Sequence, residues 1–448
     1  MVAIPILLCL LSASCSSSRQ GRLAHDDVSG WLDRGRAAAA ENRHLDAAGA
    51  FEKVLEVDYS SLDAHRGLIL AHLNLGRLKA LEQLYRERRA SDPMNPFHSY
   101  GLAITLYATS TGLADKALSL LSEAREHRPD LSDIPYRKGV ILLDAERYAE
   151  ARQAFEKALA IEDLARYRAP LALSLYHLGK PEQSLEVLRG LLHLDPSPNE
   201  VEMARQVAER ISDPFRGFPE AARGKLTRAI DWLERADVPQ NALDLLREIL
   251  LEHPEAAMVH AVLGLAYQRI DAGGEAFIHL QHAVELAPHL AITHLYLANL
   301  LASRERYEDA RDSYLAALER NPLLLEAHAA LGNAAAERGD TKEATRHLRA
   351  WSLLDPRRTQ PRLLLARTLA AAGDLDATER ELKGVLELEE DNLEAHLSLG
   401  AVYVRRHSET PGPELREAYA RMAKEHLDRV LAVQPDNPAA RRLVAEIR

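Results

Sequence analysis

Histidine is the residue type in this sequence whose number and spacing first suggest chemistry. The chain contains 19 histidines, and four of them recur at intervals of 34 or 68 residues, namely His260, His294, His328 and His396. A metal binds nitrogen ligands at about 2 Å, whereas side chains on successive packed helical units lie about 10 Å apart. We therefore expect these imidazoles to fill one recurring packing position rather than to bind a metal together.

Other groups that could carry chemistry are few. His279 and His282 lie three residues apart on one helical face, but no third ligand is near them in sequence, so a solvated pair is expected. Both cysteines, Cys9 and Cys15, lie within the first fifteen residues. The chain has no GxxxxGK, GxGxxG, GxSxG or HExxH motif. The sequence therefore predicts a protein without catalytic residues, cofactor or metal.

Composition predicts a helical chain that does not bind nucleic acid. Hydrophobic residues make up 47% of the 448 residues but aromatic residues only 5%, and this apolar set is dominated by Ala and Leu, which favour close-packed helices. The 56 basic and 67 acidic residues give a net charge of −11 and are interleaved along the chain. No basic stripe is present that could follow a phosphate backbone.

A repeat of 34 residues accounts for most of the chain. Its clearest markers are four prolines spaced 34 residues apart, Pro254, Pro288, Pro322 and Pro356. Between them a bulky residue, a Leu and a small residue keep fixed offsets, as in "HAALGNAAAERGDTKEATRHLRAWSLLDP" at 328–356. One such unit cannot bury its apolar face alone, so the units must stack.

This register resembles the tetratricopeptide repeat family. The resemblance implies an all-α fold, a right-handed superhelical solenoid of helix-turn-helix repeats in which the first helix of each repeat lines a concave groove. Gly332 and Gly400 occupy the small position at which the second helix approaches closely. Gly339 and Gly373, each followed by Asp, are expected to end first helices.

Interruptions of the period predict the domain organisation. The interval from Pro196 to Pro254 is 58 residues, 24 more than one repeat, and includes "SDPFRGFPE", which opposes helix formation. We predict an N-terminal array over 28–211, a break at 212–222 that is either a hinge or an elbow packed by Phe215 and Phe218, and a C-terminal array with a capping helix over 223–448. The 11 extra residues before Pro435 are expected to form a loop, "HSETPGPELRE".

A polar row in the expected groove is the predicted binding site. Asn299, Asn333 and Arg367 each directly follow the small crossing residue in consecutive repeats. Amides can bind the N–H and C=O groups of an extended peptide, and an arginine can bind a carboxylate. The row resembles the asparagine-based peptide contact of the family. A solvated inner face without a ligand is the alternative.

The first residues predict export. The apolar run Val2 to Leu11 is too short to span a bilayer but suits a signal peptide. "LLSASC", ending at Cys15, resembles a bacterial lipoprotein signal, which implies a signal peptide over 1–14, lipidation of Cys15, and a lipid anchor and tether over 15–27. Ser16 directly after the cysteine is similar to the outer-membrane sorting pattern. An unprocessed terminus is the alternative.

Together these features predict a non-catalytic protein–protein interaction scaffold of the bacterial cell envelope. It would be held to the periplasmic face of the outer membrane by its N-terminal lipid and would bind a protein or extended peptide segment. The alternative is a cytoplasmic regulatory or co-chaperone module without the anchor. Repeats extend almost to Arg448 and leave no room for a catalytic domain. Whether the chain forms a homo-oligomer is left open.

Overall fold

The structure is a computed structural model that describes residues 25–216, 218–236 and 238–447. Over these ranges it contains 24 α-helices and no β-strand. The prediction of an all-α chain is therefore confirmed. The predicted signal peptide, 1–14, and the proposed lipidation residue Cys15 lie outside the described residues.

The chain divides into two compact units, the first of which ends at Val207. Its core contains the large, fully buried side chains of Tyr85, Tyr100, Tyr136 and Phe155. Its helices are α1 (His25–Ala40), α2 (His44–Val57), α3 (Leu62–Asn74), α4 (Leu78–Ser91), α5 (Pro96–Thr109), α6 (Ala114–His127), α7 (Asp133–Asp144), α8 (Tyr148–Ile161), α9 (Ala165–His177), α10 (Pro181–Arg189) and the first part of α11 (Pro198–Ile211).

The second unit begins at Ala208. Phe215 and Phe218, in the stretch predicted to be a break, lie against the core of this unit. Its helices after α11 are α12 (Glu220–Asp231), α13 (Pro239–Glu252), α14 (Ala257–Arg269), α15 (Gly273–Leu286), α16 (Ala291–Ser303), α17 (Tyr307–Arg320), α18 (Leu325–Arg338), α19 (Thr341–Leu354), α20 (Gln360–Ala372), α21 (Leu375–Leu388), α22 (Leu393–Glu409), α23 (Pro413–Val433) and α24 (Pro438–Glu446).

Consecutive helices in each unit pack as pairs, and each pair packs against the next. The small residues of the repeat make this possible. A Cβ atom on Gly332 of α18 would lie 2.9 Å from Cδ2 of Leu348 on α19, and one on Gly400 of α22 would lie 2.6 Å from Leu427 on α23. Both are closer than ordinary packing allows. Each unit is thus a solenoid of helix–turn–helix repeats, as predicted.

The turns inside two repeats follow directly from their sequence. Gly339 and Gly373 adopt φ values of 75° and 84° at the ends of α18 and α20, a left-handed conformation that side chains with a Cβ disfavour. Asp340 and Asp374 then begin the next helices, and each carboxylate accepts a hydrogen bond of 3.0 Å from the amide three residues on. Glycine followed by aspartate therefore ends one helix and starts the other.

The insertion near the C-terminus differs from its prediction. Instead of forming a long loop, most of "HSETPGPELRE" extends the two flanking helices, so that α22 has 17 residues and α23 has 21. Only residues 410–412 lie between them. Pro413 is the first residue of α23, where a missing backbone N–H costs no hydrogen bond. The proline therefore starts a helix here rather than prolonging the loop.

Candidate functional site

The predicted polar row lies on three successive first helices of the second unit. Asn299 is on α16, Asn333 on α18 and Arg367 on α20. The residues before them, Ala298, Gly332 and Ala366, pack against the second helix or the core. Because successive residues on a helix are rotated by about 100°, this packing fixes the direction in which the three side chains of the row point. Asn299 and Arg367 are exposed and Asn333 is half-buried.

Asn333 and Arg367 line one pocket, which we call the polar pocket. It has a volume of about 390 Å³ and opens between α18 and α20. Its wall combines hydrogen-bonding groups with small side chains: Asn333, Ala336, Glu337, Gly339, Thr341, Leu364, Arg367, Thr368 and Ala371. Two of the three predicted residues are therefore brought together in the lining of one pocket.

Asn299 is not among the residues that line the polar pocket. Its Oδ1 atom accepts a hydrogen bond of 2.6 Å from the hydroxyl of Tyr314 on α17. This contact holds the amide in one orientation and occupies one of its acceptor positions. Asn299 consequently has less capacity than Asn333 to bind both an N–H and a C=O group of a peptide.

A second pocket, which we call the apolar pocket, adjoins the first at Arg367. It has a volume of about 220 Å³ and lies among α20, α21 and α22. Most of its lining is aliphatic: Leu363, Ala366, Ala370, Leu375, Leu382, Ala401 and Val402. Thr378 and Ser398 add two hydroxyl groups. Arg367, Glu394 and Arg405 contribute charged groups to its lining. Arg367 binds Glu394 through an Nη2–Oε1 contact of 2.7 Å, and the two side chains are 70% and 50% exposed.

The recurring histidines are buried, as predicted, but they make contacts that the sequence did not indicate. Nε2 of each imidazole lies 2.9 to 3.1 Å from the carbonyl oxygen of the residue six positions earlier. Three of the four also contact a histidine of the second helix through their Nδ1 atoms, and these pairs are His260 with His279, His328 with His347 and His396 with His426. The interpretation of His279 as a solvated residue is thus wrong, whereas His282 is exposed.

Another repeat places a different polar pair at these two positions, because Arg362 forms an ion pair of 3.2 Å with Glu381 in the second unit. In the first unit His65 contacts the hydroxyl of Tyr85 at 2.7 Å, although Tyr85 holds the position of Leu348 rather than that of His347. A polar contact between the two helices therefore recurs in several repeats. The signal that could have found it is the spacing of 19 residues shared by two histidine pairs.

The first unit contains a buried charge cluster that the sequence analysis missed. Asp133 accepts hydrogen bonds from Arg66 at 2.9 Å, from Arg137 at 3.2 Å and from the Tyr100 hydroxyl, and Arg166 lies 3.5 Å away. These residues come from four first helices, α3, α5, α7 and α9. Burial disfavours the ionised carboxylate, but the guanidinium groups outweigh this effect and hold the pKa of Asp133 well below its usual range.

No helix within 25–216, 218–236 and 238–447 is both long enough and apolar enough to cross a membrane. In the same part of the chain no three or more His, Cys, Asp and Glu side chains are grouped in a way that could hold a metal ion.

Comparison with known proteins identifies the repeat. The sequence profile of the tetratricopeptide repeat matches residues 32–96, 106–167 and 295–352. Cellulose synthase operon protein C of Xanthomonas axonopodis pv. citri (strain 306) is 25% identical over 453 aligned residues. That alignment covers 93% of this chain but only 27% of the relative, so the chain spans about a quarter of the length of the curated protein that it matches.

Solved structures with similar helical repeats include YrrB, described as a tetratricopeptide repeat protein with an unusual peptide-binding site. YrrB is 21% identical, with a TM-score of 0.38 over 44% of this chain and 96% of its own. PilF of Pseudomonas aeruginosa is 17% identical, with a TM-score of 0.39 over 51% of this chain and 98% of its own. The matched profile and the helix-turn-helix units agree, so the three matched segments consist of tetratricopeptide repeats, which are generally found in protein-interaction scaffolds.

Proposed function

We propose that this protein is a non-catalytic scaffold of the bacterial cell envelope that binds an extended protein segment along the first helices of its second unit. The observation that carries the proposal is the position of Asn333 and Arg367. They lie on successive first helices and line one open pocket of about 390 Å³. Polar side chains that converge on a concave space are the usual mark of a binding site.

The chemistry of the polar pocket suits a peptide backbone. Gly339, Ala336 and Ala371 have small or no side chains, so a ligand backbone can approach the helices closely. Asn333 offers a donor and an acceptor in one amide group, which matches the N–H and C=O groups of an extended chain. Thr341 contributes a hydroxyl group that can donate or accept a hydrogen bond. The pocket can thus bind the backbone of a segment without contacting every one of its side chains.

Substitution of the amides tests the binding proposal. Asn299→Ala combined with Asn333→Ala should reduce the capture of partner proteins from the host, measured by affinity purification and quantitative mass spectrometry. The variant should keep its helical circular-dichroism spectrum and lose only the stability of the Tyr314–Asn299 hydrogen bond, about 1 kcal/mol. Gln281→Ala is the matched control, because Gln281 is an exposed amide of α15 that lines neither pocket. If the double variant retains every partner that the wild type and the control capture, the groove is not the binding surface.

The envelope assignment rests on the first sixteen residues and is tested through their cysteines. Cys15→Ser should abolish metabolic labelling with palmitate and shift the protein out of the membrane fraction of a bacterial host. Cys9→Ser is the matched control and should keep the label, because cleavage before Cys15 removes Cys9 with the signal peptide. A wild type without label that stays soluble and uncleaved would favour the cytoplasmic alternative.

The relative gives the first class of partner to test. Its similarity extends over 93% of this chain, and its name refers to a cellulose synthase operon. We therefore propose that a subunit of a cellulose synthase is bound in the groove. Chemical crosslinking in a cellulose-producing host should recover such a subunit with the wild type and not with the Asn299→Ala, Asn333→Ala variant. Recovery that is equal for both proteins would refute this partner.

A further inference from the structure

We infer that the groove of the second unit selects segments in which a large apolar side chain and a carboxylate stand two residues apart. This inference rests on the proposed function, because it assumes that a segment binds there, and it adds which segment. Two observations support it. One is the apolar pocket, which was not part of the predicted site, and the other is the position of Arg367 in the lining of both pockets.

The apolar pocket has the size and lining for one side chain. A cavity of about 150 Å³ with aliphatic walls accommodates benzene, and the volume here is about 220 Å³. Leu363 and Leu375 are partly exposed in its wall, whereas Leu382 and Val402 are buried behind them. A Leu or Phe side chain of a ligand would cover this surface and exclude water from it.

Charge on the lining of the apolar pocket favours an acidic neighbour. Two arginines, Arg367 and Arg405, and one glutamate, Glu394, contribute to it. Each arginine is paired with an exposed carboxylate, Arg367 with Glu394 and Arg405 with Glu409, and neither carboxylate is buried. The ion pair of Arg367 with Glu394 is largely exposed, and such pairs contribute little to stability. A carboxylate of the ligand can therefore replace Glu394 on Arg367 at small cost and form a bidentate contact.

The spacing of two residues follows from the backbone of the ligand. In an extended segment alternate side chains point to the same side, and they lie about 7 Å apart. Arg367 lines both pockets, so the guanidinium group is next to the apolar pocket rather than opposite to it. A carboxylate two residues from the buried apolar side chain faces the helices on the same side and can contact Arg367, while the residue between them points to solvent.

Peptide display against the full-length protein tests the inference. Random peptides should be selected on the wild type, on Arg367→Glu and on the control Arg380→Glu, which makes the same change of charge at an exposed arginine of α21 outside both pockets. We expect the wild type and Arg380→Glu to enrich peptides with Leu or Phe two residues from Asp or Glu. The Arg367→Glu variant should lose this acidic preference.

The affinity of each variant for the most enriched peptide, labelled with fluorescein, gives a quantitative form of the test. Arg367→Glu should weaken binding at least tenfold. Glu394→Gln should strengthen binding by about two- to fivefold, because it removes the internal competitor for Arg367. The swap Arg367→Glu with Glu394→Arg keeps the ion pair and the fold, and it should bind peptides in which Lys replaces the acidic residue.

The outcomes separate this inference from the proposed function. Enriched peptides without the acidic residue, an unchanged preference in Arg367→Glu, or weaker binding by Glu394→Gln would each overturn the inference. If such peptides still lose affinity in Asn333→Ala, the groove binds peptides and only the stated pattern is wrong. If no selected peptide depends on either pocket, the peptide-binding proposal fails as well.

Discussion

We predict that the contact between His328 and His347 makes the stability of the second unit depend on pH. Their Nδ1 atoms lie 2.9 Å apart, and Nε2 of His328 lies 3.1 Å from the carbonyl oxygen of Pro322. A carbonyl oxygen can only accept a hydrogen bond, so Nε2 of His328 carries the proton. Its Nδ1 atom is then the acceptor, and Nδ1 of His347 is the donor. A proton added to Nδ1 of His328 would place two donors against each other.

The surroundings of this pair oppose protonation. Burial lowers the pKa of His328 to about 3 and that of His347 to about 4. The carbonyl of Pro322 favours the charged form of His328, but the positive charge of Arg346 disfavours it for both imidazoles, and Arg311 does so for His347. The folded protein therefore keeps both rings neutral at any pH above about 5.

The sign and size of the effect follow from the unfolded state, in which a histidine has a pKa of about 6.5. Above that pH both states are neutral and the pair adds no pH dependence. Below about pH 6.5 the two histidines bind protons in the unfolded chain but stay neutral in the folded chain. The free energy of unfolding therefore falls by about 1.4 kcal/mol per pH unit for each histidine. Between pH 7.5 and 5.0 the loss is about 2 kcal/mol for each, or about 4 kcal/mol for the pair.

Trp351 provides a local probe, because it lies on α19, four residues after His347, and is only 3% exposed. In a Trp31→Phe, Trp232→Phe background it is the single tryptophan. Urea unfolding at pH 7.5 and 5.0 should show that His328→Gln with His347→Gln loses about 4 kcal/mol less stability on acidification than the parent.

The control for this experiment is His289→Gln, which removes an exposed histidine of the same unit that belongs to none of the histidine pairs and should leave the pH dependence of the parent intact. The comparison uses the change with pH and not the stability at one pH, so a general destabilisation by the two amides does not affect it. If the double variant and the parent lose equal stability between the two pH values, the histidine pair is not neutral in the folded state and the reasoning is wrong.

Two other predictions concern packing and buried charge. Gly332→Leu should destabilise the second unit by about 1–3 kcal/mol in thermal or urea unfolding, because the added side chain meets Leu348 across the helix crossing; an unchanged curve would show that the repeat register is misassigned. Asp133→Asn should destabilise the first unit by about 3–5 kcal/mol, since it removes the carboxylate that Arg137 and Arg66 share and leaves Arg66 with Asp63 alone; a loss below about 1 kcal/mol would show that Asp63, water or another group compensates their charge.

The fold was predictable because its determinants recur at one spacing. Gly332 and Gly400 mark the same helix crossing two repeats apart, and a position that must stay small in every unit is visible without any structure. Gly339 followed by Asp340 was equally informative, because only the backbone of one turn is involved. The insertion before Pro435 was not, since the extra residues could lengthen either the loop or the helices, and the choice depends on tertiary packing.

The contacts of the site were less predictable, and the reason is that they join different helices. Asn333 and Arg367 occupy equivalent positions, so their convergence on one pocket follows from stacking alone. The apolar pocket requires three helices, and of its lining residues only Arg367 and Ala401 are equivalent in the repeat. The Asp133 cluster is harder still, because its partners range from Arg66 to Arg166 and only Arg66 and Tyr100 share the repeat spacing of 34 residues.

The two units use charged side chains of their first helices in opposite ways, and this difference indicates where a ligand can bind. In the first unit Arg66 and Arg137 are buried against Asp133, with side chains 7% and 6% exposed. A ligand could reach them only by displacing a buried carboxylate, which leaves uncompensated charge and costs several kcal/mol. In the second unit Arg367 is 70% exposed and its partner Glu394 is 50% exposed, so exchange of one carboxylate for another costs at most about 1 kcal/mol. The cluster around Asp133 is therefore suited to hold consecutive repeats in a fixed arrangement, whereas Arg367 is suited to exchange its partner for a bound segment.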